Sequence, residues 1–253
     1  MILEIRKPLN QLLDSKSEIC RAIEYINDDK IVIARNQIDI KMIISLKKYL
    51  TNVGRNSIPN YHPIEVGAPN FHRINNLDER SFVKGCFHQF SFYPWNQDYF
   101  NLFSLTKSIF QFKNLISGIS KNKFLSEKGE AGCVARLSFQ FYPKGSGILN
   151  KHKDPVDAHQ ISIPILIMSS KSEDFTYGGA YVDIPHHGQI YLEEIAQPGD
   201  VVFFKATLPH GVDKIDPESA PDWLSFQGRW MLLMAVNKIA LNASIGNAQE
   251  LDS

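Results

Sequence analysis

The chain has 253 residues, 43% of them hydrophobic, with Lys and Arg balancing Asp and Glu at 27 each. Balanced charge argues against a general binder of nucleic acid or anionic membrane, which carries a basic excess, and still allows a local basic patch around a small anionic substrate. Cys20, Cys86 and Cys133 are odd in number and widely spaced, so neither a disulfide framework nor a Cys-rich zinc site is expected, and a reducing cytoplasm is the default compartment.

The first nine residues lack the apolar region of a signal peptide, and no apolar run reaches the length of a membrane span. Residues 9–27 place Leu12, Leu13, Ile19, Ala22, Ile23 and Ile26 at helical spacing, and Asp28-Asp29-Lys30 ends that pattern. Ile31 to Ala34 reads as a strand. A second helix is predicted to begin near Asp39, whose carboxylate suits an N-cap, with Ile40, Ile43, Leu46 and Leu50 as its buried stripe. From Gly54 to Asp98 the pattern weakens around Pro59, Pro63, Pro69 and Pro94, which predicts long loops. Loops of this kind often carry substrate contacts, and His72, Arg73, Trp95 and Asn96 are the candidates there, against ordinary loop packing. A third helix is predicted over about 99–119, its aromatic stripe packing on the sheet, followed by a polar connection over 121–130.

The strand Cys133 to Tyr142 separates two faces: Ala135, Leu137, Phe139 and Phe141 on one, and Arg136, Ser138, Gln140 and Tyr142 on the other. Burying the second face dry would leave polar groups without partners, so a wet cavity is the expected neighbour, with a solvent-facing strand as the alternative. Residues 161–168 read as a central strand in which Pro164, lacking a donor, marks an edge or bulge. Residues 226–236 are the last core strand, with Gln227, Arg229, Met231 and Leu233 on one face, and the polar tail from Asn242 is expected to fray.

His152-Lys153-Asp154 in an extended segment points its imidazole and carboxylate the same way. A distant His210, in Leu-Pro-His-Gly, then completes a two-His-one-carboxylate set that holds a metal on one face and leaves the other open. His186 and His187 fit a hairpin tip between Pro185 and Gly188. His159, with Asp157 before it, is the nearest rival ligand.

In order, Tyr142-Pro143, His152-Lys153-Asp154, Gly178-Gly179, Pro198-Gly199-Asp200, His210-Gly211-Val212 and Arg229 resemble the core of the Fe(II)/2-oxoglutarate-dependent dioxygenase superfamily. The resemblance covers about residues 130–240. It implies an α+β fold: a double-stranded β-helix core (jelly-roll or cupin-like) with N-terminal supporting helices. One catalytic domain is expected, with residues 1–130 as helical and loop-rich support, 131–240 as the core and 241–253 as a polar tail. The resemblance implies that His152, Asp154 and His210 are the metal ligands, that Arg229 pairs with the far carboxylate of 2-oxoglutarate, and that Tyr142, beside Gln140, contacts the same cosubstrate as in the prolyl-hydroxylase branch. Lys205 and Lys214 are the reserve candidates for Arg229's role. The implied cofactors are Fe(II), 2-oxoglutarate and O2, with ascorbate as reductant. The implied reaction converts 2-oxoglutarate to succinate and CO2 while an unactivated C–H of a small-molecule metabolite is hydroxylated or desaturated. The carboxylate at Asp154 argues against halogenation. A prolyl-type protein hydroxylase, a non-catalytic cupin-like binder and a zinc hydrolase are the competing readings. Substrate identity, pathway and oligomeric state are not legible.

Overall fold

A computed structural model describes residues 1–156, 159–239 and 246–251. In chain order the elements are β1 (Ile2–Ile5), a 3-10 turn (Leu9–Gln11), α1 (Lys16–Asn27), β2 (Ile31–Ala34), α2 (Ile40–Asn56), β3 (Phe71–Asn76), β4 (Gly85–Phe92) and α3 (Leu102–Ile116). There follow β5 (Cys133–Pro143), β6 (Ile148–Lys153), β7 (Ile165–Ile167), β8 (Gly179–Ile184), β9 (Gly188–Tyr191), α4 (Leu192–Ile195), β10 (Val201–Phe203), β11 (His210–Asp213), β12 (Gly228–Lys238) and β13 (Gln249–Glu250).

The strands form one continuous mixed sheet in the order β1-β2-β10-β7-β12-β5-β4-β6-β11-β8-β9, with β3 on β4 and β13 on β6. The sheet curls at β4, which pairs with β5 through His88–Phe92 and with β6 through Gly85 and Cys86. Curling lets the inner faces of the two limbs share one apolar layer: Ile165, Ile167, Val202 and Met231 pack with Ala180, Val182, Ile184 and Val212. This is the expected jelly-roll core.

A second apolar layer lies on the outer face of the longer limb. Side-chain alternation along β5 sends Ala135, Leu137, Phe139 and Phe141 to that side, and β12 adds Trp230, Leu232 and Met234. The helices cover it with the stripes read from the sequence, Ala22 and Ile26 from α1 and Ile43, Leu46 and Leu50 from α2. Asp39 caps α2 by accepting a hydrogen bond from Lys41 N at 2.7 Å. Phe112 of α3 meets Phe203 of β10 edge-on, with ring centroids 5.4 Å apart.

Four segments differ from the sequence reading. The predicted helix over 9–27 divides into the 3-10 turn and α1. The predicted central strand over 161–168 keeps only Ile165–Ile167, because Pro164 has no N–H for the ladder and offers only its carbonyl, to Met234 N at 3.0 Å. The stretch read as long loops contains the β3–β4 hairpin, and all four of its prolines fall outside those two strands. The polar tail is anchored over 246–251: β13 pairs with Lys153 and His152, and Glu250 accepts hydrogen bonds from Lys84 N at 2.6 Å and Asn150 Nδ2 at 3.0 Å.

Candidate active site

The antiparallel register of β6 and β11 sets His152 directly opposite His210, with ring centroids 4.2 Å apart. Paired residues on adjacent strands point to the same side, so both imidazoles enter the interior. Asp154 lies just past the end of β6, where its N–H donates to Ala206 O at 2.9 Å. Its carboxylate stands 3.9 Å from His152 Nε2 and 3.4 Å from His210 Nε2. One donor atom from each of the three residues lies within 4.8 Å of the other two.

Both rings are fixed in the same way. His152 Nδ1 is 2.8 Å from Asn150 O, and His210 Nδ1 is 2.8 Å from Leu208 O. A carbonyl only accepts, so Nδ1 carries the proton in each ring and the Nε2 lone pair is left for a ligand. Burial, aided by His210, pushes His152 down to about 4, which keeps its ring neutral. Two imidazole nitrogens and one carboxylate with an open side form a donor set suited to a divalent first-row metal, iron included.

The triad opens on a cavity of about 530 Å³. Its opposite wall is the inner face of the longer limb, laid out in rows by strand register. One row runs Arg73, Gln89, Gln140, Met231 and Ile167 across β3, β4, β5, β12 and β7. In the adjacent row Tyr142 of β5 faces Arg229 of β12. Gly228 makes that close pairing possible: it has φ +142°, and a Cβ there would lie 2.2 Å from Tyr142 O.

Arg229 and Tyr142 are both fully buried. Tyr142 Oη donates to Gln140 Oε1 at 2.6 Å, and burial raises its phenol pKa, so it stays a neutral donor. Arg229 Nε donates to Glu193 Oε1 at 2.5 Å, and the other oxygen of Glu193 accepts from Ala180 N at 3.0 Å. Nη1 and Nη2 of Arg229 are buried and have no hydrogen-bond partner. A buried guanidinium with two open donors is matched by a second carboxylate, which would accept in two-pronged fashion. The residues therefore fit a metal at the triad together with a dicarboxylate reaching toward Arg229.

Other sequence candidates fall elsewhere. His186 and His187 sit exposed in the β8–β9 turn. His159 is buried and borders the cavity outside the three-residue cluster, and Asp157 lies outside the described residues. Lys205 is engaged by Asp29 at 3.0 Å. His72 lies between Ser57 and a buried His88, and Trp95 and Asn96 tie their loop to Ala68 O, so these three are packing residues, whereas Arg73 faces the cavity. Pro198-Gly199-Asp200 is a structural corner in which Asp200 accepts from Asn36 N at 2.8 Å and Arg35 Nη1 at 2.7 Å. Glu193 escaped the sequence reading. Its only signal was indirect, since a fully buried arginine requires a carboxylate somewhere.

No known family model and no curated protein matches the chain by sequence. Solved structures do resemble it. A Pseudomonas putida prolyl-4-hydroxylase aligns over 87% of this chain and 98% of its own at 12% identity, with a TM-score of 0.55. A full-length Neurospora crassa protein, solved in complex with alpha-KG, aligns over 94% of this chain and 84% of its own at 11% identity, with a TM-score of 0.51. JOX2, solved with 2OG, Fe and JA, aligns over 99% of this chain and 78% of its own at 13% identity, with a TM-score of 0.53. These likenesses establish the fold, a double-stranded β-helix. Among the described residues no helix is long and apolar enough to cross a membrane.

Proposed function

We propose that the chain is a non-haem Fe(II)- and 2-oxoglutarate-dependent dioxygenase that hydroxylates or desaturates an unactivated C–H bond of a small molecule, releasing succinate and CO2. The observation that carries this reading is a pairing across one cavity. On one side stand two imidazoles that present Nε2 beside a carboxylate. Behind the opposite wall, against the Tyr142 ring that borders the cavity, is a buried guanidinium, Arg229, with both terminal nitrogens unpartnered. A zinc hydrolase needs the first feature and has no use for the second.

His152, Asp154 and His210 would hold the iron, which supplies the O2 chemistry when bound. Arg229 Nη1 and Nη2 would take the far carboxylate of 2-oxoglutarate, with Tyr142 Oη and Gln140 beside it. Glu193 would set the plane of the guanidinium through Nε. The apolar layer formed by Met231, Ile165, Phe204 and Leu192 borders the cavity and would limit water around the reacting groups. The cavity volume suits a small molecule better than an extended peptide. Ascorbate would keep the iron ferrous. The Neurospora crassa protein solved with alpha-KG, and JOX2 solved with 2OG and Fe, support the cofactor assignment.

The test is O2-dependent succinate formation by purified protein supplied with Fe(II), 2-oxoglutarate and ascorbate, with zinc replacing iron as control. Succinate that requires Fe(II) and disappears in Arg229→Met is expected. Iron-loaded protein that forms no succinate with or without pooled cell metabolites contradicts the proposal.

A further inference from the structure

We propose that the cavity takes a small molecule with an oxyanion head, a carboxylate or a phosphate ester, on an apolar body, and that Arg136 receives the head; this rests on reading the cavity as the active site. Three arginines, Arg73, Arg80 and Arg136, line the cavity, and Asp154 of the triad is the only carboxylate among its described lining residues. The whole chain is neutral, so this is a local excess of positive charge. None of the three arginines is needed to hold 2-oxoglutarate, because Arg229 provides that site on a different row.

Two of the three have a counter-ion outside the cavity wall. Asp78 accepts from Arg73 Nη2 at 3.1 Å and from Arg80 Nη2 at 2.8 Å. Both guanidinium groups also stack on Tyr61, with centroid distances of 5.0 Å and 4.5 Å. One carboxylate thus serves two cations. Arg136 has no ion pair among the described residues, and its Nε is buried without a hydrogen-bond partner. The group beside it is the Tyr93 hydroxyl, which cannot neutralise a charge at ordinary pH. Holding a half-buried cation in this state is unfavourable unless an anion completes the site.

Position agrees with charge. Arg136 lies on the same face of β5 as Gln140 and Tyr142, four residues before Gln140, which places it roughly 13 Å along the strand. An anionic head at Arg136 would therefore be held apart from the cosubstrate carboxylate at Arg229. The body would lie between them against Phe71, Ile163, Leu233 and Ala235, all of which border the cavity. Arg73, in the row of Gln140, adds a second positive border without leaving Asp78.

The probes are octanoate, octyl phosphate and octanamide, which share one apolar tail and differ in the head. Binding is followed by calorimetry on protein loaded with Mn(II) and saturating 2-oxoglutarate, so that the Arg229 site is filled and turnover is blocked, and on His210→Ala protein without metal. At least one of the two anions should bind about tenfold or more tighter than octanamide, the scale of a charge-assisted hydrogen bond. The tighter anion identifies the head group. Arg136→Gln should remove that preference, and Arg136→Lys should keep most of it, with melting temperature unchanged in both, since Arg136 supports no ion pair among the described residues. Equal affinity for the amide, no binding by any probe at millimolar concentration, or an anion preference that survives Arg136→Gln would each overturn the proposal. Anion preference retained in protein that never binds iron or forms succinate would remove the dioxygenase reading and leave this one standing. Succinate formation without anion preference would do the reverse.

Discussion

Replacing Arg229 with methionine removes one member of an ion pair whose side chains are 0% and 2% exposed. Two effects follow and must be separated. Glu193 is left as a buried carboxylate with only Ala180 N as partner, and breaking such a pair from one side costs about 3–5 kcal/mol of stability. The two open donors for 2-oxoglutarate also vanish, which costs about 2–5 kcal/mol of binding, or roughly 30-fold to a few thousand-fold in affinity. Glu193→Gln isolates the first effect: it strands the guanidinium and should cost a similar amount of stability, yet it leaves both terminal nitrogens in place and keeps 2-oxoglutarate binding. The double variant Arg229→Met/Glu193→Gln buries no unpaired charge, so it should recover most of the stability lost by either single change while still failing to bind 2-oxoglutarate. Urea unfolding of the four proteins closes the cycle, and calorimetry with Mn(II) in place of iron reads the binding. Additive stability losses would refute the buried pair, and normal 2-oxoglutarate affinity in the double variant would refute the role of Arg229.

Alanine at His152, Asp154 or His210 should abolish iron binding measured by metal analysis after desalting, while alanine at His186 or His187, exposed in the β8–β9 turn, should leave it unchanged. Tyr142→Phe should weaken 2-oxoglutarate binding by about 1.5–3 kcal/mol, less than loss of Arg229, because one hydrogen bond to a charged group is removed and the ring remains; an unchanged affinity would remove Tyr142 from the site. Lys113 of α3 is fully buried, donating to His159 O at 2.9 Å, and burial pushes its ammonium from 10.5 down to about 7. Its folded value lies below its unfolded value, so the unfolded chain binds more protons between those two pH values, and the penalty, present in full below about pH 7, fades as pH rises toward 10.5. Lys113→Met should therefore be more stable than the parent by several kcal/mol at pH 6, with the gap closing toward pH 10; a gap in urea unfolding free energy that does not change with pH would contradict this. Products formed in the presence of chloride should gain one oxygen or lose two hydrogens by mass spectrometry, since Asp154 as a ligand would fill the position that chloride needs, and a chlorinated product from the unaltered chain would count against that carboxylate as a ligand.

Much of the fold was legible because its elements carry a period. The alternation in 133–142 told which side chains of β5 face the helices and which face the interior, and the stripe of α2 with its Asp39 cap set that helix. The order of His152, Asp154, His210, Tyr142 and Arg229 was visible too; the first four border one cavity, and register sets Arg229 behind it, opposite Tyr142. What was hidden depends on partners remote in sequence. β3 reads Phe-His-Arg-Ile-Asn-Asn, with polar residues on both faces, because one face borders a polar cavity and the other buries the His72–His88 contact. β13 is a Gln-Glu pair held by the ladder to β6 and by the bonds of Glu250, neither of which leaves an apolar pattern. Glu193 sits in a four-residue helix remote from Arg229 along the chain, and only the curl of the sheet brings the two together. The unshared charge of Arg136 became visible only once the neighbours facing the same cavity were known.

The central claim, that the triad and Arg229 hold iron and 2-oxoglutarate together, is tested most directly by visible absorption of the anaerobic protein. Adding Fe(II) and then 2-oxoglutarate should produce a weak charge-transfer band that needs both additions, since the keto acid must chelate the iron. The band should be absent in His210→Ala at any 2-oxoglutarate concentration. In the doubly substituted Arg229→Met/Glu193→Gln protein it should reappear only at much higher concentration. Iron bound at one equivalent with no band on addition of saturating 2-oxoglutarate would contradict the account.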